Sequence, residues 1–156
     1  MGTDWNIRTE DLTGTQAREL VRLHLTGMQA NSPPGSVFAL DFSGLLAPGV
    51  TVFSAWALDR IAGIGALKAL DSAAGEVKSM RTHPDFLRRG VGAALLEHII
   101  GVARARGMAR LSLETGSGAP FEPALTLYRR RGFVAGPAFA DYTRSEFNQF
   151  LHLNLR

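Results

Sequence analysis

The sequence contains no cysteine, and only Lys68 and Lys78 are lysines among its 17 basic residues. Without cysteine there are no disulfide bonds, no thiolate metal ligands and no covalent acyl-cysteine route. The remaining basic residues are arginines, which suit bidentate recognition of phosphate. Long apolar runs are also missing: none approaches the ~20 residues of a membrane span. We therefore expect a soluble, cytoplasmic protein that does not bind membranes.

The length of 156 residues and the 46% content of hydrophobic residues predict a single domain over residues 1–156. Basic residues form two groups, but neither is interleaved with aromatics and no nucleic-acid motif is present, so nucleic-acid binding is not expected. For the second group a solvated helix face is an equal alternative. The groups are Arg88, Arg89, Arg104, Arg106 and Arg110, and Arg129, Arg130 and Arg131. No histidine shows ligand spacing with carboxylates, so no metal is expected.

Alternation around Trp5 and Ile7 predicts a short first strand. Thr13 and Gln16 have the spacing of a capping box, which predicts that a helix opens there and runs to about Ala30. Residues 31–35 break this helix, and residues 36–46 are predicted to hold a short helical piece under a long loop.

The middle of the chain predicts an antiparallel hairpin at residues 50–58 and 60–70, followed by a strand at residues 75–82. Along that strand Glu76, Lys78 and Met80 alternate with the residues between them, which makes one face unusually polar for a central strand. A helix to residue 107, a strand at 109–115, a helix at 120–131 and β-like pieces at 139–142 and 147–155 follow. The predicted order is β-α-α-β-β-β-α-β-α-β-β.

A glycine motif, residues 87–93, lies between the strand at residues 75–82 and the following helix. Gly90 and Gly92 let the backbone approach a ligand closely, and the helix start points N–H groups and its positive dipole end at the same place. These features predict a pyrophosphate cradle. The third glycine of a dinucleotide fold and the Gly-Lys-Ser/Thr of a kinase-type phosphate loop are both missing.

The glycine motif, the strand after it and the segment Ala-x-x-Leu-Tyr-x-x-x-Gly-Phe at residues 124–133 occur in a specific order. This combination resembles the GNAT superfamily of acyl-CoA N-acyltransferases over essentially the whole chain. Residues 75–82, 113–117 and 139–142 look like the YsnE-like branch of that family. The resemblance implies an α/β fold with a mixed, twisted sheet whose fourth and fifth strands splay apart and admit acetyl-CoA.

The resemblance also implies how the cosubstrate is held. Backbone groups of Met80 and Thr82 would bind the pantetheine arm, amides of residues 88–93 would hold the pyrophosphate, and an amide near Met80 or Arg81 would polarise the thioester carbonyl. The predicted cofactor-binding residues are Met80, Arg81, Thr82, Leu87, Arg88, Arg89, Gly90, Val91, Gly92, Ala93, Ser117 and Tyr128. The chain departs from the family pattern at Leu87, usually Gln or Arg, and at Phe121, often Asn; Ser117, Glu122 or a water would replace that amide.

Tyr128 matches the family tyrosine that protonates the departing thiolate, with a purely packing role as the alternative. Glu76 is our first choice of base because several members place a glutamate there, and Glu114 is its rival. Either glutamate could instead bind a cationic substrate. The implied reaction is direct transfer in a ternary complex.

The predicted acceptor pocket comprises residues of the first helix, the loop after it and a late segment. These are His24, Met28, Ser36, Phe38, Asp141 and Tyr142, with Pro33 and Pro34 beside them. A simple turn at residues 141–142 is an equal alternative. The sequence thus predicts acetyl transfer to the amine of a small molecule, or less favourably of a protein. A noncatalytic acyl-CoA sensor and a nucleic-acid-associated regulator are the competing functions, and a homodimer is left open.

Overall fold

A computed structural model describes residues 5–156, in which a mixed sheet is covered by helices on both faces. The strands are β1 (Asn6–Thr9), β2 (Val50–Ala57), β3 (Arg60–Ala69), β4 (Ala74–Thr82), β5 (Arg110–Thr115), β6 (Val134–Ala135) and β7 (Gln149–Asn154). The helices are α1 (Thr15–Asn31), α2 (Phe42–Leu45), α3 (Val91–Ala105) and α4 (Glu122–Arg130). Short 3-10 helices occupy Pro84–Phe86 and Ala119–Phe121. The predicted α/β fold and its order of elements are confirmed.

The strands form one sheet in the order β1-β2-β3-β4-β5-β7-β6. Every neighbouring pair is antiparallel except β4 and β5, which are parallel. Leu20 and Val21 of α1 pack on one face of β3 together with Leu45 of α2. The apolar sides of α3 and α4 pack in a second core on the other face, with residues such as Ile99 and Leu125. Apolar residues at helical spacing cause this two-sided packing.

Strands β4 and β5 separate after a short stretch of pairing. Only Ala74, Gly75 and Glu76 are paired with β5, whereas β4 continues to Thr82 and β5 to Thr115. The predicted splay between the fourth and fifth strands is therefore present. It opens a cleft between the carboxyl-terminal halves of the two strands.

The predicted capping box at the start of α1 is wrong. Gly14 is the N-cap residue, and no side chain caps this end. The Thr13 hydroxyl instead donates to Asp11, while the Gln16 carboxamide donates to the Asp59 carbonyl and accepts from the Ile61 amide. These long-range bonds to the β2–β3 turn hold α1 on the sheet. They occupy the Gln16 side chain, which is therefore not available to cap the helix.

The predicted β-like piece at residues 139–142 is also wrong. These residues form a turn in which the Tyr142 amide donates to the Phe139 carbonyl, and the short strand β6 lies earlier, at Val134–Ala135. Pro137 follows β6 and has no N–H with which to continue the ladder. Phe139 and Tyr142 pack against Phe150 of β7 instead of pairing as a strand.

Within residues 5–156, no helix combines the length and the hydrophobicity that crossing a membrane requires.

Candidate active site

The cleft opened by the splayed strands holds two cavities that share a wall. The larger, of about 840 Å³, lies between β4 and the start of α3 and is bordered by α4. The smaller, of about 160 Å³, lies between β4, the end of β5, α1 and the loop after α1. Residues that line both are Met80, Arg81, Pro120, Ala124 and Tyr128. The two cavities are therefore adjacent and border the same side chains.

The floor of the larger cavity is the beginning of α3. Gly90 is its N-cap residue and has a φ of 86°, a left-handed conformation that favours glycine, and no acidic residue lies in the first turn. Gly92 lines the cavity, and a Cβ built on it would lie 3.1 Å from Leu127 Cδ2. Unpaired N–H groups of a helix start, close backbone approach and the neighbouring Arg88 suit a diphosphate.

Most predicted cofactor-binding residues line this cavity. Those that do are Met80, Arg81, Thr82, Leu87, Arg88, Gly90, Val91, Gly92, Ala93 and Tyr128. Arg89 and Ser117 do not: the Arg89 guanidinium stacks over the rings of Trp5 and Phe86, with its Cζ 5.6 and 5.2 Å from the ring centroids. Arg89 thus packs behind the glycine motif and does not face the ligand.

Phe121, where the family often has Asn, is buried and lines the smaller cavity. Its ring meets Phe147 edge to face at 5.4 Å between centroids. The position has become part of the apolar wall, so it supplies no polar group to the cosubstrate.

The smaller cavity contains part of the predicted acceptor set. His24, Met28 and Phe38 line it, whereas Ser36 and Asp141 do not. Tyr142 stands behind the wall: its ring meets Phe38 edge to face, with centroids 5.3 Å apart. The structure therefore brings together residues from α1, its following loop and the 137–148 segment, which are far apart in sequence.

A β-bulge in β4 determines which side chains face the smaller cavity. Lys78 pairs with Ala66 and Arg81 with Ile64, so β4 uses one more residue than β3 over this stretch. Ser79 within the bulge has a φ of 58°. Strict alternation would place Lys78 and Arg81 on opposite faces, but the extra residue places both on the α1 face.

Next to the cavity, Glu76 belongs to a buried polar network. It is 2% exposed and accepts hydrogen bonds from the Tyr142 hydroxyl at 2.5 Å and from Lys78 Nζ at 3.3 Å. Lys78 Nζ also lies 2.7 Å from the Tyr142 oxygen. Glu76 does not line either cavity, whereas Lys78 lines the smaller one. The carboxylate of Glu76 is thus occupied by two protein partners.

Glu114 is the carboxyl group that lines the smaller cavity. The pKa of Glu114 is raised to about 7, mainly by burial; the positive charge of Lys78 opposes this shift, and the negative charge of Glu76 adds to it. A carboxyl group with this pKa is ionised in part of the molecules near neutral pH. It can therefore accept a proton there.

Tyr128, on α4, lies at the wall between the cavities and is 6% exposed. Burial raises its pKa well above the usual value, so the hydroxyl keeps its proton at neutral pH. The ring packs on Phe133, with centroids 5.7 Å apart. Tyr128 thus packs α4 against its neighbours and also lines both cavities, so a packing role does not exclude the predicted role as an acid.

His24 is a neutral hydrogen-bond acceptor. Burial, which is the largest cause, and the positive charges of Arg81 and Lys78 together lower the pKa of His24 to about 3. His24 Nδ1 accepts a hydrogen bond from Arg81 Nε at 3.0 Å, which leaves the ring proton on Nε2. His24 therefore orients Arg81 and does not act as a base.

Several residues that line the smaller cavity were not predicted as site residues, and Lys78 and Ser79 are two of the polar ones. Lysine is scarce in this chain, and a lysine on a central strand was a usable signal. Ser79 shows no such signal: its buried hydroxyl has no hydrogen-bond partner among residues 5–156, and it reaches the cavity only because of the bulge. In the same described residues, no cluster of three or more His, Asp or Glu side chains has the arrangement of a metal site.

Solved structures share this fold. A protein of Klebsiella pneumoniae matches with a TM-score of 0.78 at 24% identity, over 97% of this chain and 98% of the other. A GNAT family acetyltransferase from Elizabethkingia anophelis with acetyl-CoA bound matches with a TM-score of 0.70 at 18% identity, over 96% and 97% of the two chains.

Sequence relatives are more similar. An uncharacterized N-acetyltransferase of Escherichia coli (strain K12), YedL, is 48% identical over 151 residues, which cover 97% of this chain and 95% of the relative. An uncharacterized N-acetyltransferase of Bacillus subtilis (strain 168), YsnE, is 49% identical over 146 residues, covering 94% and 97%.

Residues 17–133 also match the family model described as the acetyltransferase (GNAT) family. The predictions of the family, its YsnE-like branch and an N-acetyltransferase activity are confirmed, and solved structures of the same fold contain bound acetyl-CoA or coenzyme A. The chain belongs to the GNAT family of N-acetyltransferases.

Proposed function

We propose that this protein transfers the acetyl group of acetyl-CoA to the amine of a small molecule, by direct transfer in a ternary complex. The observation that carries the proposal is the shared wall of the two cavities. A thioester that enters along β4 from the α3 side and an amine in the smaller cavity would meet at Tyr128 and Met80. No acyl-enzyme is needed when both reactants reach one point.

The donor side of the reaction rests on main-chain groups. Strand β4 is paired with β5 only from Ala74 to Glu76, so its later residues, Met80 among them, have no strand partner on the side of the cleft. Main-chain groups of β4 at this point are therefore free to bind the pantetheine arm and to polarise the thioester carbonyl. The start of α3 would hold the diphosphate.

Glu114 is better placed than Glu76 to receive the proton of the amine. It lines the acceptor cavity and has a pKa of about 7, near the value that suits a base at neutral pH. Glu76 is enclosed by Lys78 and Tyr142 and faces neither cavity. We therefore assign the base to Glu114 and a positioning role to Glu76.

Tyr128 is the proposed acid. Its hydroxyl is protonated at neutral pH, and the residue lies at the wall between the two cavities, where the thiolate of coenzyme A would depart. Donation of that proton to the sulfur yields the free thiol, while Glu114 has received a proton from the amine. Both groups return to their starting state by exchange with solvent.

The form of the acceptor cavity favours a small acceptor over a protein. Its volume of about 160 Å³ is below the roughly 300–1,000 Å³ of common ligand sites. Phe38, Met28 and Phe121 contribute apolar wall, so the acceptor carries an apolar part beside its amine. The cytoplasmic location and the homodimer stay predictions.

The test is a panel of small amines and lysine peptides with acetyl-CoA, measured by release of free thiol. We expect acetylation of at least one class of small amine and a kcat for Tyr128→Phe that is lower by about 100-fold, the usual worth of a positioned acid. Full turnover by Tyr128→Phe would remove the tyrosine from this role. Tight acetyl-CoA binding without acetylation of any amine would support the hypothesis of a noncatalytic sensor. A preference for peptides would overturn the proposal that the acceptor is a small molecule.

A further inference from the structure

Arg81 is a half-buried cation that lines the acceptor cavity and has no carboxylate partner among residues 5–156. Among residues 5–156 the ion pairs within 4.0 Å join Arg60 to Asp85, Lys78 to Glu76, His83 to Asp85 and Arg131 to Glu97. Burial lowers the pKa of Arg81, and no neighbouring negative charge offsets it. Charged groups that are withdrawn from water are normally paired with an opposite charge. The half-buried guanidinium of Arg81 has no such partner among residues 5–156, so a ligand can supply it.

We propose that the acceptor carries a carboxylate that Arg81 binds, so that the substrate is an amino carboxylate of the amino-acid class. This inference rests on the proposed function, because it names the acceptor of the same cavity. The other cation of the cavity, Lys78, is already neutralised by Glu76, and His24 is neutral. Arg81 is therefore the group that remains for an anion.

The guanidinium is fixed in place on its back side. Nε donates to His24 Nδ1 at 3.0 Å, and Nη2 lies 3.5 Å from the His24 carbonyl oxygen. These contacts hold one edge of the planar group on α1 and leave other N–H donors for a ligand. A fork of this kind binds a carboxylate through two parallel hydrogen bonds.

Gly27 of α1 makes room for this arrangement. A Cβ at residue 27 would lie 2.9 Å from Arg81 Nη2 and 3.4 Å from Arg81 Cζ. Glycine inside a helix costs about 1 kcal/mol relative to alanine. Gly27 lies where the Arg81 guanidinium is close to the backbone of α1, so the absence of a side chain there offsets its unfavourable helix propensity.

The two ends of the cavity together select the substrate class. Glu114, from β5, takes the proton of the attacking amine in the proposed reaction, and Arg81, from β4, binds the carboxylate. Met28, Phe38 and Phe121 form apolar wall of the same cavity. An amino acid with an apolar side chain presents all three groups in one compact molecule.

Arg81 also borders the larger cavity, so binding to coenzyme A is the competing role. The diphosphate has its own proposed cradle at the start of α3, formed by Arg88, Gly90 and Gly92. An arginine that served the cosubstrate would matter equally for every acceptor. A carboxylate-binding arginine matters only for acceptors that carry one.

The experiment compares apolar amino acids with their own carboxamides, which keep the amine and the side chain but lose the negative charge. Binding of the N-acetylated form of each to the coenzyme A complex is measured by calorimetry, and acetylation by thiol release. We expect the carboxylate of a pair to bind at least about 10-fold more tightly, as loss of a charge-assisted hydrogen bond implies.

Three variants locate the effect. Arg81→Gln is expected to remove the preference for the carboxylate while the affinity for coenzyme A stays the same. Gly27→Ala is expected to keep the protein folded, displace the guanidinium and weaken carboxylate binding. Arg22→Gln removes an exposed charge from the same helix and is expected to keep the preference.

Equal affinity of carboxylate and carboxamide in the unmodified protein, including no binding of either, would overturn the inference. So would an Arg81→Gln variant that loses coenzyme A affinity and keeps the carboxylate preference. These outcomes are separate from failure of the proposed function. Absence of acetylation would refute the reaction, while calorimetry would still decide whether the site binds a carboxylate.

Discussion

The two cavities of the cleft are built by different means. The larger is formed mainly by one continuous segment, residues 80–97, in which a strand ends and a helix begins. The smaller collects side chains from α1, the loop after it, β4, β5 and the start of α4. The first therefore depends on backbone direction and glycine, and the second on which side chains the tertiary fold brings together.

This difference separates what the family shares from what is specific to the chain. A cradle of main-chain N–H groups binds the same diphosphate whatever the neighbouring side chains are. A cavity lined by Arg81, Lys78 and Glu114 selects its ligand by charge and shape. The predictions below test the two cavities and the buried network of Glu76 beside them, in order of decreasing effect on turnover.

Gly92→Trp should have the largest effect, because its side chain would fill the larger cavity. A Cβ at residue 92 would lie 3.1 Å from Leu127 Cδ2, so an indole there would have to extend into the cavity where the diphosphate is proposed to bind. We expect coenzyme A affinity to fall by on the order of 100-fold or more, since overpacking a site costs a few kcal/mol. Calorimetry measures the affinity, and thermal unfolding confirms that the fold persists.

Gly101→Trp is the matched control on the same helix. No atom lies within 4 Å of a Cβ built at residue 101, and the position is exposed. This variant should bind coenzyme A as the unmodified protein does. Similar losses in both variants would mean that α3 responds to any bulky residue, and that the cavity is not the cause.

The glycine turn at the start of α3 could be predicted from sequence because its determinants are local. Two glycines between a strand and a helix are close in the chain, and their effect on backbone approach follows from residue type alone. The order of strands and helices was predictable for the same reason, since hydrophobic periodicity is a local signal. The helix-opening motif at Thr13 failed where a contact with the distant β2–β3 turn took over Gln16.

The acceptor cavity could be predicted only in part. His24, Met28 and Phe38 were expected from their helix and loop, but the pairing of His24 with Arg81 depends on the bulge at Ser79. One extra residue in a strand reverses every side chain after it, and sequence alternation does not show where that happens. The enclosure of Glu76 by Tyr142, 66 positions away, was equally hidden.

Glu114→Gln should have the second largest effect. Loss of the proposed base should lower kcat/KM by about 100-fold, and the amide also cannot titrate. The exposed Glu146→Gln is the control and should retain full activity. An unchanged rate for Glu114→Gln with a good substrate would show that Glu114 is not the base, and that Glu76 or water accepts the proton.

The pH dependence of the same variant has a definite sign. The pKa of Glu114 in the folded protein is about 7, so the ionised base, and with it kcat/KM, should increase as pH rises through 7 and then level off. The folded state also holds this proton more tightly than the unfolded chain, so stability contributed by Glu114 is lost as pH rises from about 4.5 toward 7. Glu114→Gln should therefore gain stability relative to the unmodified protein at pH 8, which denaturant titration measures.

Glu76→Gln should have the smallest effect on turnover and a clear effect on stability. The carboxylate of Glu76 neutralises Lys78 at a site where both side chains are buried, so its removal leaves an unpaired cation and should cost about 3 kcal/mol of unfolding free energy. Below the unfolding temperature, kcat should stay within about threefold of the unmodified value, because a positioning residue contributes far less than a proton acceptor.

Tyr142→Phe removes the other partner of the same carboxylate and should show the same pattern more weakly, since Lys78 remains paired. If Glu76→Gln stays as stable as the parent but loses its activity, the carboxylate of Glu76 accepts the proton. The assignment of the base to Glu114 and of a positioning role to Glu76 would then be wrong.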